Sequence, residues 1–315
     1  MIKARGLARQ FRTRGHTVDA VQGVDIDVEP GELVGFLGPN GAGKSTTLRM
    51  LTTLLRPTAG EAVVAGRDLL ADPAGVRERI GYVAQGHGAG TEQKVFQEAE
   101  SQARFYGLSP ADARRRTGEL FARFELDEVA DRLAGRLSGG QQRRLDIVMG
   151  ILHEPKLLFL DEPSTGLDPQ SRSNLWEHIR ALGRSGTTIF LTTHYLDEAD
   201  ALCDRILVID HGKIVAEGSP DALKSQVSGD LVQFETDTPA VAAEIAAKIE
   251  GAQELRTDGN TVRFRVPRGD TQLPGLLRAL DHADVSLMSV QVHRPTLDDV
   301  FLTMTGRSLR EESYA

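Results

Sequence analysis

From Val24 to Val28 apolar and acidic positions alternate, with Val24, Ile26 and Val28 set against Asp25 and Asp27. A period of two predicts a half-buried strand, and residues 1–28 read as strands up to the turn Pro30-Gly31. Leu33–Leu37 is a short continuous apolar run, the pattern of a fully buried strand, and it ends in a glycine-rich loop. A helical period runs from about Lys44 to Leu55, with Pro57 beyond it. Further strands are expected at Ala62–Ala65 and Ile80–Ala84. Residues 92–134 are charged, Arg-rich and helical in period, with Ser109-Pro110 as a helix start. This predicts a helical subdomain over about 88–140.

From residue 138 onward helices and short apolar strands alternate. A helix over about Gly140–His153 precedes the run Leu157–Leu160. A helix over Gln170–Leu182 precedes the strand Thr187–Thr192, and a short helix near Tyr195–Leu202 precedes Ile206–Asp210. That alternation predicts a mostly parallel sheet. The texture changes around 225–230, so a boundary is placed near 226, giving domains 1–225 and 226–315. The second domain reads as strand 231–236, helix 239–249, strands 253–257 and 261–266, helix 271–281, strand 285–292 and helix 296–305. This order is the split ferredoxin-like plan, an α+β fold.

Composition narrows the class. The chain has 40% hydrophobic and 26% charged residues, enough apolar material for a sizeable core and too much for disorder. With 37 basic against 45 acidic residues the net charge is −8, which argues against a nucleic-acid partner. A single cysteine, Cys203, excludes an intrachain disulfide and reads as a small buried hydrophobe. The basic N-terminus has no apolar core after it, which argues against a secretory leader. No apolar run reaches the roughly 18 residues a membrane span needs.

Three motifs carry chemistry. Gly38-Pro39-Asn40-Gly41-Ala42-Gly43-Lys44-Ser45-Thr46 matches the phosphate-loop pattern, between a buried strand and a helix. Glycines there turn backbone N–H groups toward an anion, the helix N-terminus adds positive potential, Lys44 supplies a point charge and Ser45 a hydroxyl for Mg²⁺. Leu157–Leu160 followed by Asp161-Glu162 describes a buried strand whose C-terminal end carries two carboxylates. Asp161 suits Mg²⁺, and Glu162 suits the attacking water. Leu137-Ser138-Gly139-Gly140-Gln141 offers a second anion site at a helix start, although by itself it equally describes an ordinary capped helix.

In this order the three motifs resemble the ATP-binding subunit of ABC transporters, over about residues 1–225. The resemblance implies a P-loop NTPase fold of the ABC ATPase kind, a mixed α/β sheet core plus a helical subdomain. It also implies ATP and Mg²⁺ as cofactors. Carried over by position, it implies that Phe11 stacks on adenine, although Phe11 equally suits a strand core. Gln85 would touch Mg²⁺ and water, Asp168 would cross a dimer interface, and His194 would contact the γ-phosphate. Two copies would close head to tail, with Ser138, Gly139, Gly140 and Gln141 of one meeting the ATP held by Lys44 of the other. The sequence departs from the family after Gln85, where Gly86–Lys94 is glycine-rich in place of the usual aspartate and Leu-Thr stretch. A mobile segment is expected there, and the coupling contact is the feature it affects.

The string Thr296-Leu-Asp-Asp-Val-Phe-Leu-Thr-Met-Thr-Gly306 resembles the tail of the daunorubicin/doxorubicin-resistance type of ATP-binding subunit. A plain terminal helix would explain its apolar face, Leu297, Val300, Phe301 and Met304, but not the whole string. The resemblance implies an exporter ATPase at the cytoplasmic face of the membrane. It would drive a separate permease subunit of the ABC-2 type, with hydrophobic drugs as cargo. The rival readings are export of a lipid or polysaccharide precursor, or a soluble non-transport ABC ATPase. One phosphate loop, no long heptad run and the negative charge weigh against the last.

Overall fold

The alternating N-terminal segment forms two long antiparallel strands, β1 (Ile2–Thr13) and β2 (His16–Val28), with Ile2 opposite Val28. Strand β4 (Ala59–Val64) pairs on the other side of β1, and the short β5 (Arg67–Asp68) completes a sheet of order β2-β1-β4-β5. Its buried positions, among them Ile2, Ala4, Val24, Ile26 and Val28, are those the alternation selects. The structure, a computed structural model, describes residues 1–306 except 14, 87, 91 and 228.

A second sheet holds β3 (Leu33–Leu37), β6 (Ile80–Val83), β7 (Leu157–Asp161), β8 (Thr188–Thr193), β9 (Arg205–Asp210) and β10 (Lys213–Gly218). Its order is β10-β9-β3-β8-β7-β6. All its pairs are parallel except β10 with β9. Every residue of β3, β7 and β8 is buried, as expected for strands covered on both faces. Around the sheet lie α1 (Lys44–Leu51), α2 (Pro73–Arg77), α6 (Pro169–Arg184) and α7 (Leu196–Leu202). The Arg-rich stretch supplies α3 (Val95–Phe105) and α4 (Pro110–Arg123), and α5 (Gly139–Ile151) follows. The Ser109 side chain caps α4 by accepting from the Asp112 amide.

Helix α1 ends at Leu51, short of the expected Leu55. Thr53 takes a left-handed conformation (φ 65°) and breaks the ladder, and the Leu55 amide turns back to the Arg49 carbonyl at 2.9 Å. Cys203 is buried as expected, and its Sγ fills the space a side chain at residue 35 would need: a Cβ on Gly35 would lie 2.5 Å away. No helix among the described residues is long and apolar enough to cross a membrane.

The chain divides into two units, Met1–Pro220 and Asp221–Ala315, with α8 (Pro220–Lys224) at the division. In the second unit β11 (Asp230–Thr236), α9 (Pro239–Ala246), β12 (Gln253–Asp258), β13 (Thr261–Val266), α10 (Gly269–His282) and β14 (Leu287–His293) follow the expected order. The strands form one antiparallel sheet, β12-β13-β11-β14. Val232, Phe234, Val262, Phe264 and Val266 form its core with Ala242, Ala246, Leu276 and Leu280 of the two helices. The terminal α11 (Leu297–Thr305) starts in a capping box between Thr296 and Asp299.

Candidate active site

The phosphate loop connects β3 to α1, and two of its glycines are required by contact. A Cβ on Gly38 would lie 2.2 Å from the Ile209 carbonyl oxygen. Gly43 has φ 106°, and a Cβ there would lie 2.5 Å from the Ala20 carbonyl oxygen. Lys44, 4% exposed, folds back into the loop and donates to the carbonyls of Gly38 (2.7 Å) and Pro39 (3.0 Å). Its Nζ also pairs with Glu162 Oε1 at 3.3 Å. Asn40 and Gly41 are exposed, Pro39 and Ala42 are buried, and Thr46 is half-buried one position after Ser45.

Register brings the acidic strand to this loop. Strands β3, β8 and β7 are adjacent and parallel, so their C-terminal ends meet at one edge. The Ser45 hydroxyl donates to Asp161 Oδ1 at 3.1 Å, and Thr192 Oγ1 donates to the same oxygen at 2.6 Å. Thr192 Oγ1 in turn accepts the Glu162 amide at 3.0 Å. That bond helps hold Glu162 in a left-handed conformation (φ 44°), a sparsely populated region for a residue with a side chain.

Glu162 is the centre of the cluster. Its Oε2 accepts from Gln85 Nε2 (3.0 Å) and Thr165 Oγ1 (3.3 Å). His194 Nδ1 lies 3.4 Å from the same oxygen, within ion-pair distance when the imidazole is protonated. Burial alone would raise this carboxyl, but His194 and Lys44 together outweigh it and bring the value from 4.5 to about 2. On Lys44 burial dominates and lowers the ammonium, with Glu162 opposing. A carboxyl depressed on folding contributes its stability fully above pH 4.5 and loses it as pH falls toward about 2. Denaturant unfolding over that window is therefore expected to weaken less for Glu162→Gln than for the wild type. Parallel profiles would show that the pairing contributes nothing.

The other expected residues lie outside this cluster. Ser138 caps α5, accepting from the Gln141 amide (3.3 Å), and Gln141 Oε1 accepts the Ser138 amide (3.0 Å). By helix geometry the Gly139 and Gly140 amides have no partner inside the helix. Gly140 is closely packed, since a Cβ there would lie 2.8 Å from Ser171 Oγ and displace that hydroxyl. Ser171 donates from both its amide and its hydroxyl to the exposed Asp168, the N-cap of α6. Among the described residues, none of Ser138–Gln141 makes a side-chain hydrogen bond or ion pair to the phosphate loop. Phe11 is half-buried on β1 rather than in the core, with the Arg9 guanidinium 4.8 Å from its ring centroid. In the glycine-rich segment the Gly88 amide donates to Asp146 and the Gly90 amide to Glu98, so the described part is tied to α5 and α3. His87 and Thr91 lie outside the described residues.

The sequence reading missed two residues that shape the site. Thr192 is one, and its signal was a pair of threonines closing an otherwise apolar strand. Arg143 is the other, 3% exposed, at a position of α5 that shares the buried face with Ile147 and Gly150. Its guanidinium donates to the carbonyls of Ala84 (2.6 Å), Asp161 (2.9 Å) and Pro163 (2.8 Å). It thereby joins the strand ends before Gln85 and around Glu162 to the helix that Ser138 caps. Arg143→Ala strands three carbonyls and is expected to cost about 3 kcal/mol or more in denaturant unfolding. Arg143→Lys should recover less than half of that, because an ammonium cannot span three diverging acceptors.

The arrangement can hold a polyphosphate at a helix N-terminus beside a buried cation, with a carboxylate placed to accept a proton. The ABC transporter family profile matches residues 21–165, and the profile of the C-terminal domain of DrrA1-3-like ATP-binding proteins matches residues 218–305. The daunorubicin resistance ATP-binding protein DrrA3 of Streptomyces coeruleorubidus is 40% identical over 94% of both chains. The daunorubicin/doxorubicin resistance ATP-binding protein DrrA of Streptomyces peucetius is 42% identical over 93% of this chain and 90% of its own. The Nod factor export ATP-binding protein I of Cupriavidus metallidurans is 37% identical over 92% of this chain and 94% of its own. Among solved structures, a dimeric ATP-binding cassette in a post-hydrolysis state bound to ADP and Pi superposes with a TM-score of 0.64. It has 25% identity, over 70% of this chain and 98% of that one. With relatives this similar over nearly its whole length, the chain belongs to the ATP-binding subunits of ABC transporters, ATPases, in the group of the daunorubicin- and doxorubicin-resistance ATP-binding proteins.

Proposed function

We propose that the chain binds ATP with Mg²⁺ between two head-to-tail copies and hydrolyses it to drive drug export through a separate membrane subunit of the ABC-2 type. The observation that carries this reading is the convergence of Lys44, Gln85 and His194 on Glu162, with Ser45 on the neighbouring Asp161. Lys44 would exchange its loop carbonyls and Glu162 for the β- and γ-phosphates. The Ser45 hydroxyl and Asp161 carboxylate, already in contact, are the hard oxygen donors that suit a divalent cation, and Gln85 is close to them through Glu162. Such an ion would neutralise charge on the transferred phosphoryl group when bound. Glu162 would take the proton of the attacking water, and His194 would hold the γ-phosphate end. Phe11 would offer its ring to adenine.

The exposed Ser138, Gly139 and Asp168 support the dimer, since a partner's γ-phosphate could reach the free amides of the capped helix. A groove of about 330 Å³ supports the membrane contact. It is lined by Tyr82 and Ala84 before Gln85, Gly86 and Gly88 after it, Tyr106 at the end of α3 and Met149 on α5. Phe105, 85% exposed, stands next to it in sequence. The permease would dock there, placing the chain at the cytoplasmic face of the membrane.

Co-expression with the cognate membrane subunit in a drug-sensitive host is expected to raise anthracycline tolerance, and Lys44→Ala should abolish the gain. Unchanged tolerance, with intact ATP turnover, would reject drugs as cargo. Export of a lipid or polysaccharide precursor is then the next reading to assay.

A further inference from the structure

Glu198 is a buried carboxyl that the hydrolytic reading leaves without a role. It is 0% exposed, on α7, four residues after His194. Its Oε1 accepts from the Trp176 indole N–H of α6 at 3.0 Å. The hydroxyls of Ser164 and Thr193 are within its reach, one two residues after Glu162 and the other immediately before His194. Glu198 Oε2 and Ser164 Oγ are both buried and neither has a well-aligned partner, so one proton shared between them would satisfy both. Burial pushes the carboxyl above its ordinary range, against the hydrogen bonds it receives.

The contact belongs to a larger pattern. Arg172, Trp176 and Arg180 follow each other at four-residue spacing on one stripe of α6. The Arg172 guanidinium lies 4.4 Å from the Tyr195 ring centroid, Trp176 bonds Glu198, and Arg180 donates to the Ala201 carbonyl at 3.3 Å. The Tyr195 ring lies against His194, with centroids 4.1 Å apart. The same helix α6 begins at Asp168.

We propose that Glu198 is a positioning residue for hydrolysis: clasped by Trp176 and facing Ser164 and Thr193, it sets His194 against Glu162 and links it to the helix that begins at Asp168. The inference rests on the reading of Glu162 and His194 given above. It does not place Glu198 in contact with nucleotide, so ATP binding should not depend on it.

The test is steady-state ATP hydrolysis by the full chain, with thermal melting to confirm folding. Glu198→Gln keeps an acceptor for Trp176 and a donor for Ser164, so kcat should stay within about threefold of wild type. Glu198→Leu removes both and should lower kcat about tenfold or more, with KM for ATP within about twofold, because misplacing a reacting group costs rate rather than binding. In a His194→Ala background the Glu198→Leu loss should largely disappear, since both act through one side chain. Trp176→Phe, which keeps a ring but removes the N–H, should lower kcat in the same way and serves if Glu198→Leu does not fold. Wild-type kcat in a folded Glu198→Leu or Trp176→Phe chain overturns the proposal, as does a full loss retained in the His194→Ala background. If His194→Ala alone leaves kcat unchanged, the hydrolytic reading of His194 falls first, and the positioning role falls with it.

Discussion

Lys44→Ala is expected to remove ATP hydrolysis almost entirely, by about 1,000-fold or more, and to weaken ATP binding at least tenfold. The magnitude follows from placing a single cation against the transferred phosphates in a buried site, where each charge is screened little. The ammonium is 4% exposed and bound by two loop carbonyls and Glu162, partners it would exchange for phosphate oxygens without leaving the buried loop. Removing it also leaves Glu162 buried without its cation, so the empty protein should lose stability as well. Nucleotide titration with a fluorescent ATP analogue and a phosphate-release assay separate the two effects. Retained hydrolysis would show that Lys44 is a structural plug of the loop and no phosphate ligand.

The second large effect is expected at Glu162, with the opposite signature for binding. Glu162→Gln keeps the side-chain shape and its contacts to Gln85 and Thr165, but it cannot take a proton from water. Hydrolysis should fall by about 100-fold to 10,000-fold, the usual contribution of a positioned general base. ATP affinity should hold or rise, because Lys44 no longer leaves a carboxylate partner to meet the phosphates. The variant should therefore accumulate as an ATP-bound dimer, visible by light scattering after gel filtration with Mg²⁺-ATP. A variant that stays monomeric while binding ATP would count against the head-to-tail arrangement. A variant that hydrolyses at the wild-type rate would remove Glu162 from the chemistry.

The sequence by itself determined the order and type of most elements, though not β5, α2, β10 or α8, because burial on both faces writes continuous apolar runs such as Leu157–Leu160, and burial on one face writes alternation such as Val24–Val28. It also marked Lys44, Ser45, Asp161 and Glu162, since a phosphate loop and an acidic strand end are local patterns whose chemistry is readable from neighbouring residues. Element ends were less legible: α1 stops at Leu51 because Thr53 turns left-handed, an event that no period announces. Gln85 and His194 were marked only through the family resemblance, and two other residues acting across the chain were not legible. Thr192 meets Asp161 through the pairing of two parallel strands, and Arg143 collects carbonyls from three separate places. Glu198 reads as one more acid in a polar helix until folding sets it beneath Ser164 and Trp176. Local pattern records which face of an element meets apolar surroundings. Only the tertiary structure decides which distant polar group comes within a hydrogen bond, because strand order and register fix that distance.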